Sequence, residues 1–107
     1  MSPIELANEA QKILDNKKAL DIKVLKVEDV SILSDYMVIA TGTSSTHVNA
    51  LADELEYKLK QIGIVPSHVE GHRSNSWILL DYSSVVVHIF SNEARSFYNL
   101  ERLWENL

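Results

Sequence analysis

The chain has 107 residues, room for one hydrophobic core and one domain spanning 1–107. A hydrophobic share of 46%, a charged share of 23%, 3 Gly and 2 Pro exclude a disordered tail, and the lack of cysteine excludes a disulfide scaffold, a thiol nucleophile and thiolate metal sites. The net charge is −5, with 7 basic and 10 acidic groups in residues 1–60 and 3 and 5 in residues 61–107, so neither half hides the basic module that wraps nucleic acid.

Taken in chain order, the first element is a helix from Pro3 to about Lys17. Ser2 is its N-cap, Pro3 takes the first helical position, Glu5 completes a capping box, and Leu6, Ala7, Ala10, Ile13 and Leu14 form one apolar stripe. The start carries no basic region followed by an apolar core, and no apolar run approaches the roughly 20 residues that span a bilayer. A cytoplasmic protein without membrane contact is the expectation.

Two strands follow. Ile22–Val27 is β-branched and half alternating, which suits a strand exposed on one side, whereas Tyr36–Ala40 is apolar on both parities and suits an interior strand. Residues 28–34 make a short connection with apolar anchors at Val30, Ile32 and Leu33. Val48, Leu51, Ala52, Leu55, Leu59 and Ile62 then recur at helical spacing, Ser44 or Ser45 caps the start, and Gly63 supplies a left-handed stop. After a short strand within Pro66–Glu70 and a turn over 71–76, Trp77–Tyr82 and Val85–Phe90 are separated only by Ser83-Ser84, which makes them an antiparallel hairpin. A last helix starts near Asn92, and its apolar stripe changes phase at Asn99 before Leu100, Leu103, Trp104 and Leu107. This order predicts an α/β (α+β) domain, a mixed five-stranded sheet with helices mainly on one face.

Chemistry-bearing groups are sparse. Thr41-Gly42-Thr43-Ser44-Ser45-Thr46-His47 joins a strand to a helix N-terminus, a place where anions bind. It lacks the glycines and lysine of a phosphate-binding loop, and a hydroxyl-capped turn explains it without a ligand. Nucleotidyl transfer through the Gly42–Ser45 turn is the alternative function, and it needs carboxylates at i and i+2 on one strand face. Asp81 has Leu79 and Ser83 at that spacing, and Asp35 has Met37. An Asp81–His88 hydrogen bond forms only if the two hairpin faces coincide, which the sequence does not decide. His68 and His72 straddle a glycine rather than sharing a helical turn, so no metal is expected, and no cofactor. Trp77 is open to two readings: it packs a core edge, or it anchors a protein partner.

Together the segments Asp35–Ser45, Val69-Glu70-Gly71, Trp77–Tyr82, Val85–Phe90 and Phe97–Trp104 resemble the ribosomal silencing factor family, also called iojap-like, over essentially the whole chain. The resemblance implies a nucleotidyltransferase-like topology without that activity: a non-enzyme. It implies binding to the large ribosomal subunit through its protein L14, blocking the small subunit and repressing translation when nutrients are scarce. A homodimer when free, with little direct nucleic-acid binding, is implied as well. By the same resemblance the partner surface includes Trp77, with Leu79 and Asp81 on its face, and His88 and Tyr98 beside it. The chain departs from the family pattern at Thr46 (often Arg), Ser83-Ser84 (often Gly-Asp) and Asn99 (commonly Asp).

Overall fold

The structure is a computed structural model that describes residues 1–27, 34–71 and 76–99, the side chains of Phe97 and Tyr98 excepted. The expected anchors Val30, Ile32 and Leu33, the residue His72, and the tail with Leu100, Leu103, Trp104 and Leu107 lie outside the described residues.

Helix α1 (Pro3–Asn16) begins as its sequence requires. Glu5 N–H donates to Ser2 Oγ at 3.3 Å while Ser2 N–H donates to Glu5 Oε1 at 2.8 Å, closing the capping box. Its buried residues are Leu6, Ala7, Ala10, Ile13 and Leu14, the stripe legible in the spacing. The chain continues through β1 (Leu20–Lys26), β2 (Tyr36–Gly42), α2 (Ser45–Gln61), β3 (His68–Glu70), β4 (Trp77–Asp81), β5 (Val85–Ser91) and α3 (Asn92–Tyr98). Ser44 is the N-cap of α2, and Gly63 at φ +82° follows its end. Asn99 ends α3 in the left-handed region at φ 47°, which is the break expected there.

The sheet runs β1-β2-β5-β4-β3, with β2 and β5 parallel and every other neighbouring pair antiparallel. β1 starts two residues before the expected Ile22, because Asp21 takes φ +46° where the β1–β2 register shifts between Leu20 and Lys23. Asp tolerates this conformation, and the irregularity interrupts an otherwise open sheet edge.

α1 and α2 cover one face. There Val38, Ala40, Ile78, Leu80, Val85, Val87 and Ile89 meet Leu14, Leu51, Leu55 and Leu59 in the main core. Each fully buried Leu or Ile contributes about 2 kcal/mol by area removed from water. The other face holds a smaller cluster of Val27, Met37, Ile39, Phe90 and Ala94, with Leu25 and Trp77 packed against it, so short α3 covers only part of that side. Among the described residues helices therefore lie mainly on one face, and on the opposite face side chains of the sheet itself, such as Trp77 and Leu79, are only half-buried.

One polar atom is stranded in the main core: the Tyr82 hydroxyl is buried with no hydrogen-bond partner among the described residues. Burial, with Glu56 adding to it, raises the phenol above its ordinary range. Tyr82→Phe is expected to stabilise the fold by about 1 kcal/mol, because it removes a desolvated group that gains nothing in return. Urea unfolding would register this as a higher midpoint with an unchanged slope; a lower midpoint would mean that the hydroxyl has a partner.

Candidate functional site

The register settles which residues share the open face. Trp77 lies opposite Phe90, Leu79 opposite His88, and Asp81 opposite Val86. β3 adds His68 opposite Asp81 and Glu70 opposite Leu79, while β2 sets Ile39 beside His88. The two hairpin faces left open by the sequence thus coincide. Trp77, Leu79, Asp81 and His88 all belong to one surface, together with Glu70 and His68, whose place there no alternation within the hairpin could give. Tyr98 closes the last turn of α3, and its side chain lies outside the described residues.

Sharing a face does not bring Asp81 and His88 into a hydrogen bond. Asp81 Oδ1 accepts Ser83 N–H at 2.8 Å, pinning the hairpin turn in which Ser83 sits at φ +69°. His88 Nδ1 instead accepts the indole N–H of Trp77 at 3.0 Å. Indole N–H is only a donor, so Nδ1 must be the acceptor and the ring proton sits on Nε2. Phe90 completes the cluster: it stacks with His88 at 8° and 6.1 Å between centroids, and meets Trp77 at 5.1 Å. His88 is only 5% exposed, whereas Trp77 and Leu79 are half-buried and present apolar area to the outside.

A shallow depression of about 260 Å³ lies beside the indole, lined by Glu70, Gly71, Trp77 and Leu79. Gly71 at its rim approaches the Trp77 backbone closely. Its φ is +74°, and a Cβ there would stand 2.1 Å from the Trp77 carbonyl oxygen.

The Thr41–His47 turn is occupied by its own groups. Ser44 Oγ accepts His47 N–H at 3.1 Å, His47 Nδ1 accepts Thr43 N–H at 2.9 Å, and His47 Nε2 donates to the Lys17 carbonyl at 2.9 Å. Two backbone donors that would face an anion are thus satisfied internally, and the imidazole ties the turn to the end of α1. Gly42 does not need a positive φ; a Cβ there would come within 2.8 Å of Val48 N and Cγ2, so glycine permits close approach of strand and helix. Beyond the strand ends lies a depression of about 580 Å³ whose lining includes Asp21, Lys23, Thr41, Asn92 and Arg95. Among the described residues its lining has a single carboxylate, and the buried Arg95 donates to Thr41 Oγ1 at 2.8 Å. Among the described residues no three His, Asp or Glu converge on a point that would hold a metal, and no helix is long and apolar enough to cross a membrane.

The fold is thus an α/β domain with one helix-covered sheet face and one partly open face built around a tryptophan. The profile of the family described as "Ribosomal silencing factor during starvation" matches residues 1–107, and the chain belongs to that family, one of silencing factors rather than enzymes. It is 38% identical over 104 residues to "Ribosomal silencing factor RsfS" of Halalkalibacterium halodurans, covering 97% of this chain and 89% of the relative. A crystal structure of a protein from Chromobacterium violaceum superposes with a TM-score of 0.95 at 36% identity, covering 98% of this chain and 88% of that one. A mouse relative, "Mitochondrial assembly of ribosomal large subunit protein 1", is 33% identical over 95 residues, covering 86% of this chain and 42% of its own length.

Two measurements follow from the site's geometry. Gly71→Ala is expected to cost about 1–3 kcal/mol through forbidden φ and collision with the Trp77 carbonyl, and to shift the Trp77 indole resonance in an ¹⁵N-correlated NMR spectrum; an unmoved resonance would separate Gly71 from the site. For His88, burial holds the imidazole well below its ordinary value, at about 4. Unfolded chains protonate near 6.5, so between these values the unfolded state binds more protons and stability rises with pH. The gap corresponds to about 3 kcal/mol, present above pH 6.5 and lost as pH falls through 4. His88→Phe should flatten that dependence in urea titrations run from pH 4 to 7; an equally steep profile would assign it to other groups.

Proposed function

We propose that this protein silences ribosomes in the cytoplasm by binding the large subunit through its protein L14 and sterically excluding the small subunit, so that translation and ribosome biogenesis are repressed under nutrient limitation. The single observation that carries the reading is the open sheet face, where Trp77 and Leu79 expose apolar area opposite the helix layer. Trp at the centre of a contact supplies large, rigid area at small entropic cost. Family membership gives the silencing role, and the name of the mouse relative joins that protein to the large ribosomal subunit.

Charge supports the same direction. Glu70 on β3 and Asp81 at the end of β4 border the apolar area, and the chain carries −5 overall, which favours encounter with a basic ribosomal protein rather than with bare RNA. Asp81 spends one oxygen on the hairpin turn and keeps acceptor capacity on the other. The mechanism needs no chemical step: occupancy of the joining surface is enough. In this reading the sheet is a nucleotidyltransferase-like scaffold used only for its shape, Tyr98 contributes from the end of α3, and a homodimer is the free form.

The experiment is co-sedimentation with purified large subunits, followed by addition of small subunits. Trp77→Ala should weaken binding about tenfold or more with the circular dichroism spectrum unchanged, and small-subunit joining should recover in proportion. Binding that persists when L14 is masked by an antibody fragment would overturn the assignment of that partner.

A further inference from the structure

We propose that His88 is a positioning residue for Trp77: its Nδ1 lone pair holds the indole in one orientation from beneath, and the imidazole itself makes no contact with the partner. This rests on the reading of the open face as the ribosomal contact. His88 is 5% exposed, so it has almost no area to offer another molecule. Its 3.0 Å bond to the indole N–H is geometrically direct, reaching diagonally across the hairpin from the Leu79-paired position to the Phe90-paired one. Phe90 stacks on the imidazole at 8° and is itself 1% exposed, so the acceptor is held from its own side as well. Ile39 and Leu79 flank His88 in the two neighbouring strands.

The consequence is selective. An indole rotated by half a turn about its second side-chain torsion would carry its N–H away from the His88 Nδ1 and lose the acceptor. The imidazole therefore favours the one orientation in which the N–H is satisfied. A surface presented in one orientation binds with less ordering cost than one that must be sorted on contact.

The test uses the whole chain with ¹⁵N-labelled indole, the Trp77 resonance being assigned by its loss in Trp77→Phe. His88→Phe keeps an aromatic ring in the stack and removes the acceptor; His88→Asn restores an acceptor near the same place. The expected result for His88→Phe is a moved indole resonance, indole proton exchange at least tenfold faster, and large-subunit affinity reduced about 3–10-fold, with His88→Asn recovering part of both. An indole signal unchanged in His88→Phe overturns the proposal. So does weakened binding with the indole unchanged, which would make His88 a direct contact. Imidazole nitrogen shifts of the unmodified protein give a check that needs no variant: a proton on Nδ1 at pH 7 overturns the bond. If the indole responds as expected while Trp77→Ala binds large subunits at full strength, the positioning bond is upheld and the ribosomal reading of this face is rejected.

Discussion

Strand β5 is the constraint from which the rest of the molecule follows. It sits between β2, parallel to it, and β4, antiparallel to it, so both of its edges are hydrogen-bonded and both of its faces are packed. Its side chains alternate strictly: Val85, Val87 and Ile89 enter the helix-covered core, while Val86, His88 and Phe90 face the other way. A slip of one residue would send the imidazole into the layer of Leu51 and Leu55 and turn Ile89 outward. Desolvating a histidine without an acceptor or donor to meet it would make that register costly. The polar residue in the strand therefore helps to specify the pairing, and the same pairing aligns Trp77 with Phe90.

The helices were legible because their signals are local. Ser2, Pro3 and Glu5 mark the start of α1 within one turn, and the stripes of α1 and α2 follow from a period that any window of the sequence exposes. The Ser83-Ser84 turn and the left-handed Asn99 are likewise short-range features. The composition of the open face was only half legible. Alternation groups Trp77 with Leu79 and Asp81, and His88 with Phe90, but joining the two groups depends on register across the hairpin. Adding Glu70 and His68 depends on β3 docking at an edge, which is a tertiary event. The Trp77–His88 bond is of the same kind: both residues were visible as candidates, while the bond between them is a product of pairing and stacking. The Asp81–His88 bond that the sequence leaves open does not form: the register sets Asp81 opposite Val86 and His88 opposite Leu79, and each group takes another partner, the Ser83 N–H for one and the indole for the other.

The end of the parallel pair shows how a site-like place is used structurally. Open α/β sheets take ligands where parallel strands end and helices begin. Here β2 and β5 end side by side, and the helices α2 and α3 start from them. The protein's own side chains claim that region. His47 consumes the Thr43 N–H, Ser44 consumes the His47 N–H, and Arg95 reaches across 54 positions to the Thr41 hydroxyl. A buried guanidinium at the ends of β2 and β5 binds α3 to the sheet, which matters because α3 is only 7 residues long and covers little apolar area. Charge-assisted hydrogen bonding supplies the attachment that a short helix cannot obtain from burial alone.

This division of labour bears on how a domain of modest size can present a rigid contact. A flexible loop carrying the same tryptophan would lose several degrees of freedom on binding, each costing a fraction of the contact's gross energy. Trp77 instead stands at the start of a paired strand, with its backbone held by β5, its ring packed on Phe90 and its N–H satisfied by His88. Leu79 is fixed by strand geometry two residues on. The ordering has been done during folding, where the main core of α1, α2 and the sheet supports it. In the proposed role a partner would only have to cover area that is already in place, and exclusion of a competing surface would then depend on affinity and concentration.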